Sequence, residues 1–172
     1  MDRKDEVIKI LAGLVSDLGT PISVLRDYES MTAFKDPIKA SFRLGVYRLC
    51  INSIVINLNK YVELWRKYSD IKRTFLSAHD SAINLYISKI NNLGVAGFRN
   101  DYAAHVQNNK IKKILTDEDV MAFVQNLTDG DAENLFSWIY PKNYLQLDRK
   151  DSLMGVVMLA KDTLLKHGGG KN

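Results

Sequence analysis

Apolar residues recur along the chain at intervals of three and four, the period of one helix face, and no stretch shows the period of two that marks a half-buried strand. Val7, Ile10, Leu11, Leu14, Val15 and Leu18 line one face of residues 3–18, and Gly19 reads as a stop. Thr20-Pro21 then reads as an N-cap followed by proline at the first helical position, opening a second helix to about Phe34. Asp36-Pro37 repeats that signal and predicts the longest helix, running to about Tyr68.

At about 100° per residue, Ala40, Leu44, Tyr47, Cys50, Ile51, Ile54, Val55, Leu58, Tyr61, Val62 and Trp65 share one broad face of that helix. Phe42, Val46, Leu49 and Ile56 form a second apolar patch. A helix apolar on two sides is central to a bundle or contributes to an oligomer interface. Between the two faces runs a polar stripe of Ser41, Gly45, Arg48, Asn52, Asn59, Glu63 and Arg66. Glu63 and Arg66 read as solvated, whereas Arg48 and Asn52 lie where they would line a polar cleft.

Ser69-Asp70 caps a further helix that reaches Leu93, with Phe75, Ala82, Ile83, Tyr86, Ile90 and Leu93 inward. His79 falls on that face; a hydrogen-bonded, semi-buried histidine is the plain reading, and a place beside the motif described below is the other. After the Gly94–Gly97 turn a short helix is expected, broken by Asn108-Asn109. Thr116 followed by three acidic residues opens a helix to Leu127, and Gly130-Asp131 separates it from a short amphipathic piece ending before Pro141. A final helix is expected from about Arg149 to Lys166, closed by His167-Gly168. The fold class is therefore all-α, an antiparallel helical bundle in one domain over residues 1–167, with a flexible tail at 168–172.

Composition narrows the class of function. The hydrophobic content of 46% with 26% charged residues is that of a globular domain. A formal charge of +4 tilts the molecule towards anionic partners and permits RNA binding. The one cysteine, Cys50, allows no internal disulfide. The charged start, Met1 to Glu6, is unlike a signal peptide. The best apolar run, Leu49 to Leu58, is interrupted by Asn52, Ser53 and Asn57, so a cytoplasmic protein without a membrane partner is expected. Three scattered histidines offer no metal-ligand spacing, and no glycine-rich phosphate loop occurs, so no metal or cofactor is expected.

The chemistry is concentrated in Phe98-Arg99-Asn100-Asp101-Tyr102-Ala103-Ala104-His105-Val106. A guanidinium is a permanent cation for phosphate, and an imidazole is a base that titrates near neutrality. Asp101, four residues before His105, shares its side of a helix and would fix the ring's tautomer. Tyr102 and Phe98 would wall the site or stack a base; anchoring the short helix is an equal alternative. Lys110, Lys112 and Lys113 follow as a basic cluster for flanking phosphates, with Arg48 as a further RNA contact, although such clusters are commonly solvated surface. The competing structural reading pairs Arg99 with Asp101 or another acid and gives His105 a loop carbonyl.

Arg99, polar Asn100 and His105 resemble the R-polar-x(3–5)-H signature of the HEPN superfamily, and R-N-x-x-A-A-H after a pair of long helices resembles its abortive-infection and toxin branch. The resemblance covers roughly residues 37–128, by motif and helix order. It implies two long central helices with a short motif helix, and a metal-independent endoribonuclease leaving a 2′,3′-cyclic phosphate and a 5′-hydroxyl. His105 would move the proton, Arg99 would stabilise the phosphorane and Asn100 would position the phosphate. Some HEPN domains are instead binding modules for a nucleotide, RNA or protein.

On one regular helix, residues six apart differ by about 120° in direction and about 9 Å in rise. Either Arg99 reaches back across a turn, or two chains face each other across one cleft. The resemblance implies the second, a homodimer, and the small Ala103 and Ala104 suit close helix approach. HEPN toxins paired with a nucleotidyltransferase antitoxin carry tyrosine two residues after the motif histidine. Gln107 stands there in this chain, so any antitoxin or inhibitor protein would act by another route, such as occluding the cleft.

Overall fold

The computed structural model describes residues 2–30, 40–98, 107–108, 113–114 and 117–167. It is an all-α fold. Helix α1 spans Arg3–Ser30 and α2 spans Ala40–Lys67. They are joined in sequence by α3 (Ser69–Phe75), α4 (Asp80–Asn92), α5 (Val95–Phe98), α6 (Asp117–Thr128), α7 (Ala132–Ile139) and α8 (Leu153–Lys166). Short 3-10 turns occupy Ser77–His79, Tyr144–Gln146 and Arg149–Asp151.

Cross-helix contacts set the topology. Glu6 pairs with Lys67 at 3.5 Å, Asp17 with Lys60 at 3.3 Å, and the Tyr28 and Phe42 rings lie 6.4 Å apart. As numbers rise along α1 they fall along α2, so the two run antiparallel. The same holds for α1 and α8, where Lys4 donates to the His167 carbonyl at 3.3 Å and Gly19 lies against Met154. It holds again for α4 and α8, where His79 meets Thr163 and the Tyr86 hydroxyl donates to the Lys150 carbonyl. Tyr61 closes the ring by donating to the Ile83 carbonyl between α2 and α4. Four helices thus form an up-down-up-down bundle, with one core running from Val7 and Leu11 through Ile54, Leu58 and Ile83 to Val157 and Leu164.

The long pair is α1 and α2, not α2 and its successor. The expected break at Gly19-Thr20-Pro21 does not occur; Pro21 lies inside α1. Val7, Leu11, Leu14, Leu18, Ile22 and Leu25 keep one register through it, and all are fully buried. Packing against α2 and α8 along that whole face outweighs the local break signal. Read as one helix, Arg3–Tyr28 includes an 18-residue window of mean hydropathy 1.5, long and apolar enough by composition to cross a bilayer. Here its apolar side faces the bundle core, and the Leu49–Leu58 run is not the most apolar of the chain.

The expected helix over 69–93 is two helices. The chain turns at Leu76, at φ −123°, which sends that side chain wholly into the core. Lys72 spans the turn, pairing with Asp80 at 2.9 Å and donating to Asn84 at 2.7 Å. The expected helix from Arg149 likewise begins later, at Leu153, where the Ser152 hydroxyl accepts from the Gly155 amide at 3.1 Å.

Helices α6 and α7 lie where the sequence pattern predicts them, and Asp131 caps α7 by accepting from the Glu133 amide at 2.9 Å. Arg26 docks α7 on α1. It donates to both carboxylate oxygens of Glu133 through Nε and Nη2, donates to the Tyr140 carbonyl through Nη1 at 2.7 Å, and lies over the Phe136 ring. Trp138 of α7 stacks on Tyr86 of α4 at 6.0 Å, with Lys89 above it. Where no strand was expected, Gln107–Asn108 and Lys113–Ile114 form a two-residue antiparallel ladder, with Gln107 opposite Ile114 and Asn108 opposite Lys113.

Candidate functional site

The segment that carries the expected chemistry is approached through α4 and α5. Gly94, at φ +67°, takes the left-handed conformation that ends α4, and Val95 then buries itself at the start of α5. Helix α5 packs on both α2 and α4. Helix α4 runs antiparallel to α2 from the Tyr61–Ile83 contact, so its C-terminal end leads towards the N-terminal half of α2, the half that carries Arg48 and Asn52. Both of those side chains are half-buried there. The chain therefore leaves α5, at Phe98, from the α2–α4 edge of the bundle and beside the stretch of α2 expected to line a polar cleft.

Arg99, Asn100, Asp101, Tyr102 and His105 lie outside the described residues, as do Lys110 and Lys112. So do the expected ends at Phe34 and Asp36-Pro37 and the tail at 168–172. Lys113 contributes its backbone to the ladder opposite Asn108. Four residues, 109–112, separate the paired positions, so two of the three expected RNA-binding lysines belong to that connection.

His79 is a half-buried, hydrogen-bonded residue at the end of α4 remote from α5. It precedes α4 and so stands a full helix length, about 20 Å, from α5. Its Nε2 lies 3.3 Å from the Thr163 hydroxyl, which itself donates to the Leu159 carbonyl at 2.8 Å. The other ring nitrogen, Nδ1, is buried without a hydrogen-bond partner among the described residues.

The main face of α2 is as expected: Cys50, Ile51, Ile54, Val55, Leu58, Tyr61 and Trp65 are buried. Burial pushes the Cys50 thiol up from its ordinary range, which makes it a poor nucleophile. The polar stripe is less uniform than its periodicity implies. Arg66 is exposed, whereas Asn59 is buried and donates to Glu63 at 3.0 Å. Of the second apolar patch, Val46 is half-buried against the core, whereas Phe42 is 64% exposed, Leu49 73% and Ile56 40%. These three recur at intervals of seven, so they form one stripe along α2, with Gly45 open beside them. Among the described residues, no three His, Cys, Asp or Glu side chains converge as a metal-ligand set.

No family model matches the chain, and no curated protein does. Among solved structures, the integron cassette protein Vpc_cass2 from the mobile metagenome of V. paracholerae matches with a TM-score of 0.85 and 34% sequence identity, over 95% of this chain and 96% of that one. At that identity and coverage the two share ancestry as well as fold, and the chain belongs to the same family as integron cassette protein Vpc_cass2.

Proposed function

We propose that the chain is a metal-independent endoribonuclease of the abortive-infection or toxin type, a HEPN-like bundle that leaves a 2′,3′-cyclic phosphate and a 5′-hydroxyl. The observation that carries this reading is the spacing of Arg99, Asn100 and His105 directly after α5, which packs on α2 and α4 of an antiparallel bundle. His105 takes the proton of the ribose 2′-hydroxyl or returns one to the leaving 5′-oxygen. Arg99 stabilises the charge that develops on the phosphorane, and Asn100 positions the phosphate. Asp101 orients the imidazole and Tyr102 walls the site. Arg48, Lys110, Lys112 and Lys113 hold flanking phosphates of the RNA.

The active form in this reading is a homodimer. The stripe of Phe42, Leu49 and Ile56 is symmetric about Leu49, so antiparallel packing of two α2 helices sets Phe42 of each chain against Ile56 of the other. That contact lies on the helix that also carries Arg48 and receives α5, so it draws two motif segments towards one cleft. An inhibitor protein would act by closing that cleft. The related chain comes from a mobile integron cassette, a setting that suits an accessory, defence-type role in the cytoplasm.

The test is cleavage of RNA by the purified chain in EDTA, with analysis of the ends. Arg99→Ala and His105→Ala should each abolish cleavage while leaving the helical content unchanged. Cleavage that persists in both variants, or that needs added metal, overturns the reading, and no cleavage by the wild type leaves a non-catalytic module that binds a nucleotide, RNA or protein.

A further inference from the structure

On α4, Leu85, Ser88, Lys89 and Asn92 share one exposed side of the helix. Lys89 and Asn92 belong to its last turn, the end from which α5 and the motif segment follow. Leu85 is 60% exposed, an apolar side chain left out of the core. Beside this strip lies Trp138 of α7, half-buried and stacked on buried Tyr86, with ring centroids 6.0 Å apart and 18° between the planes. The Tyr86 hydroxyl is itself anchored, donating to the Lys150 carbonyl at 3.2 Å. Lys89 Nζ stands 4.6 Å from the centroid of the indole.

An ammonium packed on an aromatic ring beside an exposed leucine offers what single-stranded nucleic acid needs. The cation meets a phosphate, and the flat and apolar surface meets an unpaired base. Packing strips water from the Lys89 ammonium and pulls its pKa down, so a phosphate oxygen placed on it restores lost solvation. The indole needs no ordering on binding, because Tyr86 already fixes it. Ser88 and Asn92, in the same strip, present a hydroxyl and an amide to ribose and phosphate oxygens. One group opposes an anion: burial pushes the Tyr86 hydroxyl up to about 12, and the charge of nearby Asp151 adds to the effect. We infer that this strip and Trp138 bind the single-stranded RNA flanking the scissile bond. A phosphate sits on Lys89, and an unpaired base lies against Leu85 and the exposed part of the indole. The inference rests on the ribonuclease reading for its ligand and carries the bound strand beyond the motif along α4.

The experiment is fluorescence anisotropy of a short labelled RNA, single-stranded or as a duplex, on the full chain carrying His105→Ala so that the RNA stays intact. Lys89→Gln should weaken the single strand by about threefold to tenfold. It should also reduce the slope of log affinity against log salt by about 0.7, the share of one phosphate. Trp138→Leu should weaken the single strand by about fivefold or more and leave that slope unchanged. The duplex, its bases already paired, should be insensitive to Trp138→Leu. If Trp138→Leu unfolds the chain, Leu85→Glu tests the same strip from an exposed position and should weaken binding to a similar degree. Asp151→Asn should tighten binding by about twofold. Unchanged affinity and salt slope in Lys89→Gln, equal loss for duplex and single strand in Trp138→Leu, or no binding of the single strand at about 0.1 mM and low salt overturns the inference. Cleavage by the wild type in EDTA is read separately: its absence removes the ribonuclease reading, and the binding results decide the strip on their own.

Discussion

The Ser53 hydroxyl of α2 donates to the backbone carbonyl of Asp17 in α1 at 3.5 Å. That carbonyl stands four residues before Pro21, so it is the acceptor that proline, lacking an N–H, leaves without its helical donor. A side chain from the neighbouring helix thus serves the acceptor at which α1 would otherwise break. Ser53→Ala should cost about 0.5–1.5 kcal/mol in urea unfolding of the wild type. In a Pro21→Ala background the restored amide serves the same carbonyl, so the cost of Ser53→Ala should shrink. Equal costs in both backgrounds would show that the contact does not compensate the proline.

Gly155 opens a second test of backbone packing. A Cβ at this position would stand 2.2 Å from the carbonyl oxygen of Arg149, and backbone atoms have no rotamer by which to move aside. Gly155→Ala should therefore destabilise the chain by about 3 kcal/mol, although alanine is the better helix former. Gly13 is the control. A Cβ there meets only Asp17 Oδ2 at 3.8 Å, so Gly13→Ala should raise stability by about 0.5–1 kcal/mol. The opposite signs, read from denaturant midpoints, separate close approach from helix propensity.

These two positions also show what the sequence can and cannot disclose. The buried face of α2 from Cys50 to Trp65 was legible because burial on one side of a helix imprints a period on neighbouring residues. The boundary at Gly130-Asp131 was legible because turn chemistry is local: Gly130 takes φ +77° and Asp131 accepts from the Glu133 amide two residues on. The break signal at Gly19–Pro21 is overridden because the donor that serves the Asp17 carbonyl sits 36 positions beyond Asp17, in another helix. Leu76 turns the chain because the core receives its side chain, and no turn residue marks the place. The docking of α7 by Arg26 is equally silent, since its acid lies 107 positions away. At the candidate site, residue types and spacing were readable from Arg99 to His105. The packing of α5 on both α2 and α4 was not, because it depends on how α4 docks against α2.

Arg26 and Glu133 make stability depend on acid. Burial works to raise the Glu133 carboxyl, but the Arg26 hydrogen bonds and charge, with Lys142 behind them, outweigh it and hold the group below its ordinary range. A carboxyl depressed in the folded state binds its proton more readily in the unfolded chain. Its contribution is therefore fully present above the ordinary glutamate range and is lost as pH falls through the depressed value. Thermal melts from pH 7 towards pH 3 should show wild type losing more stability than Glu133→Gln over that window. Parallel curves would mean that the pair contributes no acid dependence.

The exposed stripe on α2 decides whether the site can be composite. Leu49 is 73% exposed in the single chain, so replacing it disturbs no core packing and should leave the unfolding midpoint of a monomer within about 0.5 kcal/mol of wild type. In a two-fold pairing centred on this residue, Leu49→Glu places two carboxylates against each other at the axis, where desolvated like charges repel. Sedimentation should then give a dimer for wild type and a monomer for Leu49→Glu at micromolar concentration. Ile56→Ser, at the edge of the stripe, should weaken the dimer without abolishing it. Should Leu49→Glu be monomeric yet still cleave RNA at the wild-type rate, one chain supplies both Arg99 and His105. Should cleavage fall together with dimer content across a dilution series, the two groups act across the axis.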